Sequence, residues 1–232
     1  MIDAKKVAIV QSNYIPWKGY FDIIASVDEF IVLDEVQFTK NDWRNRNKVK
    51  TSNGLKWLTI PVKHERLSQS ISSIQTIDGS WASKHWKSLV HSYSRSPYFG
   101  TFAKVIEGAY KEAAELRSLS AINLLFIKLI CRILEITTVI RPCTDYVLQD
   151  DRVARLVSLC EQASANSYLS GPAAREYIDE NAFAMSNIAI AWADYTNYPE
   201  YDQLFPPFAH GVSVLDLIFN VGADAKNYIS KF

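Results

Sequence analysis

The chain has 232 residues, 48% hydrophobic and 22% charged, which fits one large domain or a domain plus a helical subdomain with ample core. Its 25 basic residues balance 25 acidic ones, which excludes a whole-surface field that recruits nucleic acid or anionic membrane, so any cationic site must be local. Cys131, Cys143 and Cys160 form no CxxC or Cys–His spacing, which argues against a metal site and a disulfide framework and for reduced, buried thiols in a cytoplasmic protein. The start, Met1 through Lys6, lacks the charged head and long apolar core of a signal peptide. The longest apolar run, Ala121 to Ile136, is interrupted by Asn123, Lys128, Arg132 and Glu135, so no membrane insertion is expected.

In chain order, Val7-Ala8-Ile9-Val10 predicts a buried strand over 6–11, then a short helix over 19–26 and a second strand over 30–33 that ends at Asp34. Asn53-Gly54 between strand-like runs at 48–50 and 56–60 predicts a hairpin with a type I′ turn, and Pro61 closes the second run. Irregular alternation over 70–77 predicts a further strand. Three helices follow: one over 81–94 capped by Ser80, one over 98–116, and one opened by Ser118 or Ser120 that runs to 136. The third is apolar around most of its circumference and belongs at the centre. A strand over 137–141, a helix over 151–163 and a strand over 167–169 come next, then a helix over 173–179 begun by Ser170-Gly171-Pro172. A strand over 187–192 precedes a long Pro-aromatic connection, 195–210, which reads as a lid. Ser213 and Asp216, at capping-box spacing, open a last helix over 214–220.

This order predicts an α/β fold: a Rossmann-like, mostly parallel sheet with a helical block packed against it. Residues 1–79 form the N-terminal α/β part carrying the main site motifs, 80–136 the helical block, and 137–232 the C-terminal α/β part completing the same domain. Both early strands run at their carboxyl ends into polar, cationic and aromatic side chains, where ligands bind in open α/β sheets. After the first come Gln11, Asn13, Tyr14, Trp17 and Lys18; after the second come Gln37, Trp43, Arg44, Asn45, Arg46 and Asn47. Arg44, Arg46, Lys48 and Lys50 are the densest cationic cluster. Ser170 and Gly171 form a further strand–helix turn facing the same crevice.

The segments QSNYIPWKGYF (11–21), DEVQFTKNDWRNRNKVK (34–50), WLTIPV (57–62), YLSG (168–171), YPEYDQL (198–204) and SVLDLIFNVG (213–222) resemble, in order and over nearly the whole chain, the WbqC-like family associated with O-antigen and other surface-polysaccharide gene clusters. The resemblance implies attachment of an amino acid, glycine in particular, to an amino sugar.

That chemistry needs an activated carboxylate, a held amine and a stabilised oxyanion. Arg44, Arg46, Lys48 and Lys18 suit phosphates, Asn41, Asn45, Asn47 and Gln37 suit sugar hydroxyls or a carbonyl, and Tyr14, Trp17 and Trp43 suit stacking. His210 is the best-placed histidine for acid–base work and Asp34 the alternative base. The turn Trp17-Lys18-Gly19-Tyr20 stands where nucleotidyl-transfer domains of similar plan carry His-x-Gly-His; both histidines are missing, and no phosphate-binding glycine motif is present. ATP and a pre-activated aminoacyl donor therefore both stay open. The expected partner is an amino sugar or nucleotide sugar, with no nucleic acid beyond a tRNA acceptor end. A non-catalytic module binding a nucleotide sugar or an RNA end is the competing reading.

Overall fold

The computed structural model describes residues 5–66 and 68–229. The leader-free start read from the first residues lies largely outside them. The elements are β1 (Lys6–Val10), α1 (Lys18–Ala25), β2 (Glu29–Val32), β3 (Arg46–Thr51), β4 (Gly54–Thr59), β5 (Val62–Lys63), β6 (Gln75–Thr76), α2 (Ser80–Tyr93), α3 (Phe99–Glu115), α4 (Leu119–Ile133), β7 (Val139–Pro142), α5 (Arg152–Gln162), β8 (Ser167–Ser170), α6 (Glu180–Met185), β9 (Ala189–Trp192) and α7 (Val214–Val221).

Five of the strands form one parallel sheet in the order β7-β2-β1-β8-β9. The chain first builds outward from β1 through β2 to β7, then returns to the other side of β1 for β8 and β9. The connection direction thus reverses between β1 and β8, and a crevice opens outside the carboxyl ends of the strands there. Because both faces of the central strands are covered, β1 and β2 carry continuous apolar runs over Val7–Val10 and Phe30–Val32. Val7, Ile9, Ile31 and Leu33 pack with Leu156, Leu159 and Cys160 of α5 and Phe183 of α6. Ala8, Phe30 and Val32 pack on the opposite face with Phe21 and Ile24 of α1, Ile122 and Phe126 of α4 and Leu217 of α7. The β3–β4 hairpin and the α2–α4 block are inserted between β2 and β7, and α4 lies in the larger core as expected. All three cysteines are free and buried. Among the described residues no helix is long and apolar enough to cross a membrane.

Several local expectations are corrected. The hairpin turn is not type I′: Gly54 alone takes a positive φ, 97°, so Ser52-Asn53 form an ordinary turn closed by a left-handed glycine. Residues 70–77 hold a 3-10 turn, Ile71–Ser73, before the two-residue β6. Ser80 does not cap α2; its N–H donates to Asp78 Oδ1 at 2.7 Å, and Gly79 holds the cap position. The turn at Pro172 makes a 3-10 helix, Pro172–Glu176, and Ser170 contributes no cap to it. Ser213 Oγ does cap α7, accepting from Leu215 N–H at 3.3 Å, whereas Asp216 faces inward and closes no capping box. The short helix α6, capped by Asp179, has no counterpart in the sequence reading.

Candidate functional site

Beyond Val10 the chain enters a tight polar loop whose shape is enforced from outside. Ile15 adopts φ 36°, a costly conformation for a β-branched residue, directly before Pro16. Asn47, buried on β3, donates its amide to the carbonyls of Tyr14 (3.1 Å) and Ile15 (2.8 Å), and its Oδ1 accepts from Lys48 N–H at 2.7 Å. Tyr14 N–H donates to Trp43 O at 3.0 Å, and Val214 N–H, at the start of α7, donates to Pro16 O at 2.9 Å. The loop is therefore clamped between the hairpin and α7. At its end Gly19 leaves room for the Trp17 indole, which a Cβ there would strike.

The result is a cavity of about 310 Å³ lined by Asn13, Pro16, Trp17, Trp43, Asn47, His210 and Gly211. A second cavity of about 380 Å³, lined by Trp17, Tyr195, Asn197, Tyr198 and His210, lies beside it. Trp17 and His210 belong to both. Tyr195 closes the second cavity toward the strand reversal: its hydroxyl lies 3.4 Å from where a Gly171 Cβ would stand.

The segment from 195 to 210 is strapped down by groups distant in sequence. Lys18 Nζ donates to Pro199 O at 2.7 Å and sits over the rings of Tyr198 and Tyr201 at 5.1 and 5.4 Å. Burial pushes its ammonium down to about 8, and the Glu200 carboxylate opposes this. Tyr198 donates to Asp22 at 2.5 Å. Lys50 donates to Gln203 Oε1 at 2.8 Å and to Pro207 O. The buried Asp216 accepts from Tyr201 (2.8 Å), Tyr93 (2.9 Å) and Gln203 (2.9 Å). Desolvation raises its carboxyl above the usual range, against the pull of those donors and of Lys50. A segment pinned at so many points is a fixed strap in this conformation, where the sequence suggested a lid.

At the end of the strap His210 keeps 45% of its side-chain surface exposed, with Nε2 3.9 Å from Glu200 Oε1. Desolvation and then the Lys18 charge hold its imidazole below the ordinary value, and Glu200 works in the other direction. It is thus favoured in the neutral form, the state that accepts a proton. Arg44 donates to Asn13 Oδ1 and, at 3.2 Å, to Gln11 Oε1, while facing Asp42 at 3.7 Å. This fixes Asn13 by its oxygen and leaves its NH2 as the donor it offers a ligand.

The residues singled out in the sequence separate into two groups. Asn13, Trp17, Trp43, Asn47 and His210 meet at the first cavity. Tyr14 instead turns inward, its hydroxyl 2.8 Å from His85 Nδ1 and 2.9 Å from Tyr110 Oη; burial pushes His85 down to about 4. Asn45 donates to Ile60 O at 2.9 Å. Asp34 is buried and accepts from Ser12 N–H (2.8 Å) and from the Ser120 hydroxyl, so both carboxylate oxygens hold structure together. Gln37 bridges to Ser70, and Gln11, Lys18, Arg44, Arg46, Ser170 and Gly171 are not among the lining residues of either cavity. Tyr195, Asn197, Tyr198 and Gly211 are not singled out one by one in the sequence, although the long Pro-aromatic connection is expected to close over the site.

The chain belongs to the WbqC-like protein family, whose sequence model matches residues 11–228. It is 47% identical over 231 residues, 97% of each chain, to the uncharacterized protein Rv1507c of Mycobacterium tuberculosis. No solved structure matches it.

Proposed function

We propose that this protein is a transferase or ligase that joins an activated amino acid, glycine being the first candidate, or a related acyl group to the amine of an amino sugar carried as a nucleotide sugar, in surface-polysaccharide synthesis. The observation that carries the reading is the pair of cavities with His210 and Trp17 as common walls. Group transfer needs two substrates held apart until their reacting atoms meet beside a base.

In the reaction the amine nitrogen attacks the acyl carbonyl carbon, the C–N bond forms, and the bond from that carbon to its leaving group breaks. The proton lost by the amine passes to neutral His210. The Asn13 NH2, oriented by Arg44, is the donor available to the carbonyl oxygen as negative charge develops there. Trp17 and Trp43 give the apolar faces on which a sugar ring packs. The leaving group can be an adenylate made from ATP, a thioester or a tRNA end. Three free, buried thiols suit a cytoplasmic setting.

The test is mass spectrometry of purified protein with a nucleotide-linked amino sugar and glycine plus ATP, a glycyl thioester, or glycyl-tRNA. An N-glycyl sugar from one donor is the expected product. Binding of the nucleotide sugar with no product from any donor would instead favour a non-catalytic module, a reading to which the exposed Trp43–Trp57 pair and its neighbouring cations lend support.

A further inference from the structure

The hairpin beside the first cavity presents a surface of which the acyl-transfer reading uses only Trp43. On β3, Asn47 and Val49 point into the core, so Arg46 and Lys48 point outward, as the two-residue period of a strand requires. In the antiparallel register Lys48 stands opposite Trp57 and Arg46 opposite Thr59. The Trp57 indole is therefore flanked by both cations, with Arg46 Cζ 4.2 Å and Lys48 Nζ 4.9 Å from its centroid. Trp43, from the loop before β3, lies against it with centroids 5.4 Å apart and planes tilted by 38°. The two indoles stay 40% and 39% exposed, and Trp43 is also a wall of the 310 Å³ cavity.

The electrostatics of this face are one-sided. The nearby carboxylate, Asp42, is engaged by Arg44. Among the described residues Arg46 and Lys48 form no ion pair with a carboxylate. Arg46 gives one terminal nitrogen to Asn41 O, but its Nε is buried without a hydrogen-bond partner. Two cations that meet no carboxylate, beside two part-exposed indoles, match a ligand that is both anionic and planar.

We propose that Trp43, Trp57, Arg46 and Lys48 form a nucleotide-anchoring subsite, stacking a base on the indoles and pairing its phosphates with the two cations. This deepens the reading above and rests on it only for the sugar half, which would reach from the phosphates into the cavity past Trp43. The cationic area is two side chains wide on a protein of balanced charge, so it fits one nucleotide better than a nucleic-acid strand. Stacking carries little base preference, because every base has a π face; recognition would rest on the phosphates and the attached sugar.

The experiment uses the full chain, with UDP titrated by calorimetry at two salt concentrations and free glucosamine followed by ligand-observed NMR. UDP should bind the wild type, and Trp57→Ala and Arg46→Met should each weaken it roughly tenfold. Glucosamine binding should change by less than about twofold. Arg46→Met keeps the apolar stem over Trp57, so folding is preserved where Trp57→Ala proves disruptive. UDP affinity unchanged in both variants, or absent in the wild type while glucosamine still binds, overturns the subsite and leaves the transferase reading standing. UDP bound as described with neither glucosamine binding nor acyl product supports the subsite and removes the transferase reading. A single-stranded RNA that binds more tightly than UDP and is lost steeply with salt overturns the proposal in favour of a strand-binding surface.

Discussion

The polar segment around 41–47 and the strap at 195–210 meet at the first cavity, yet they are held in opposite ways. The first supports itself and its neighbour with its own amides: Asn45 binds Ile60 O, and Asn47 binds the carbonyls that flank the strained Ile15. The strap instead hangs from charged groups elsewhere, its carbonyls on Lys18 and Lys50 and its tyrosines on Asp22 and Asp216. A cluster of amides in a sequence can therefore mark a shaped backbone rather than a bound ligand, and a long aromatic loop can be a tethered wall of a cavity.

The largest effect on stability is expected where the strap is hung. Asp216→Ala leaves the hydroxyls of Tyr93 and Tyr201 and the amide of Gln203 without their buried acceptor. It should lower unfolding free energy by about 3–5 kcal/mol in urea titration. A loss below about 1 kcal/mol would show that the strap does not depend on Asp216. Next comes Asn47→Ala, which leaves two buried carbonyls unmatched and releases the Ile15 turn. About 1–3 kcal/mol should be lost, with weaker ligand binding at the first cavity. Unchanged binding in a folded variant would mean that the clamp does not shape the cavity.

A pH dependence follows for Lys18. The unfolded chain keeps this proton up to about 10.5 and the folded chain only to about 8, so the unfolded state binds more protons between those values. Stability from this group therefore rises with pH across that window. Burial raises the hydroxyls of Tyr14 and Tyr93, which act in the opposite sense at high pH, so the effect is read as wild type minus Lys18→Met. That difference should move in favour of the wild type by on the order of 1–3 kcal/mol from pH 8 to 10.5. A flat difference would mean that the ammonium is not desolvated. The smallest stability effect, within about 0.5 kcal/mol, is expected for the half-exposed His210 in His210→Gln. Under the proposed mechanism turnover should still fall by roughly a hundredfold or more, and the acid limb of the pH–rate profile, with a midpoint below 6.5, should disappear. Full activity in that variant would exclude His210 as the base.

The parallel core was legible because its strands are short branched runs and its helices carry regular apolar stripes. Ser118, one of the two openings read for α4, and Ser213 cap their helices, while Asp151, read as the first helical residue, is the cap of α5. What failed depended on contacts formed across the fold. Asp216 sits at a plausible capping-box position, and only the packing of α2 and the strap reveals that Tyr93 and Tyr201 claim it. Asp34 ends a strand, as a catalytic carboxylate would, yet Ser120 from α4 reaches its second oxygen. Tyr14 lies in the richest motif, and its ring is drawn inward because His85 and Tyr110 offer its hydroxyl partners. The turn misplaces Trp57 as well: an Asn53-Gly54 turn would set it opposite Lys50, and the observed Ser52-Asn53 turn sets it opposite Lys48.

The strand order has a consequence for how the molecule is made. β1 emerges early from synthesis but occupies the centre of the sheet, flanked by β2 and by the much later β8. Until β8 arrives, one side of β1 offers unpaired backbone groups to any passing strand. The contacts that seat the strap span separations of up to 181 residues, so neither cavity is complete before the last third of the chain has docked. Such long-range closure is slow compared with local helix formation. A chain stopped after α4 would carry most of the polar motif, an open central strand and no His210 wall, and aggregation of such truncated chains is the expected mark of this topology.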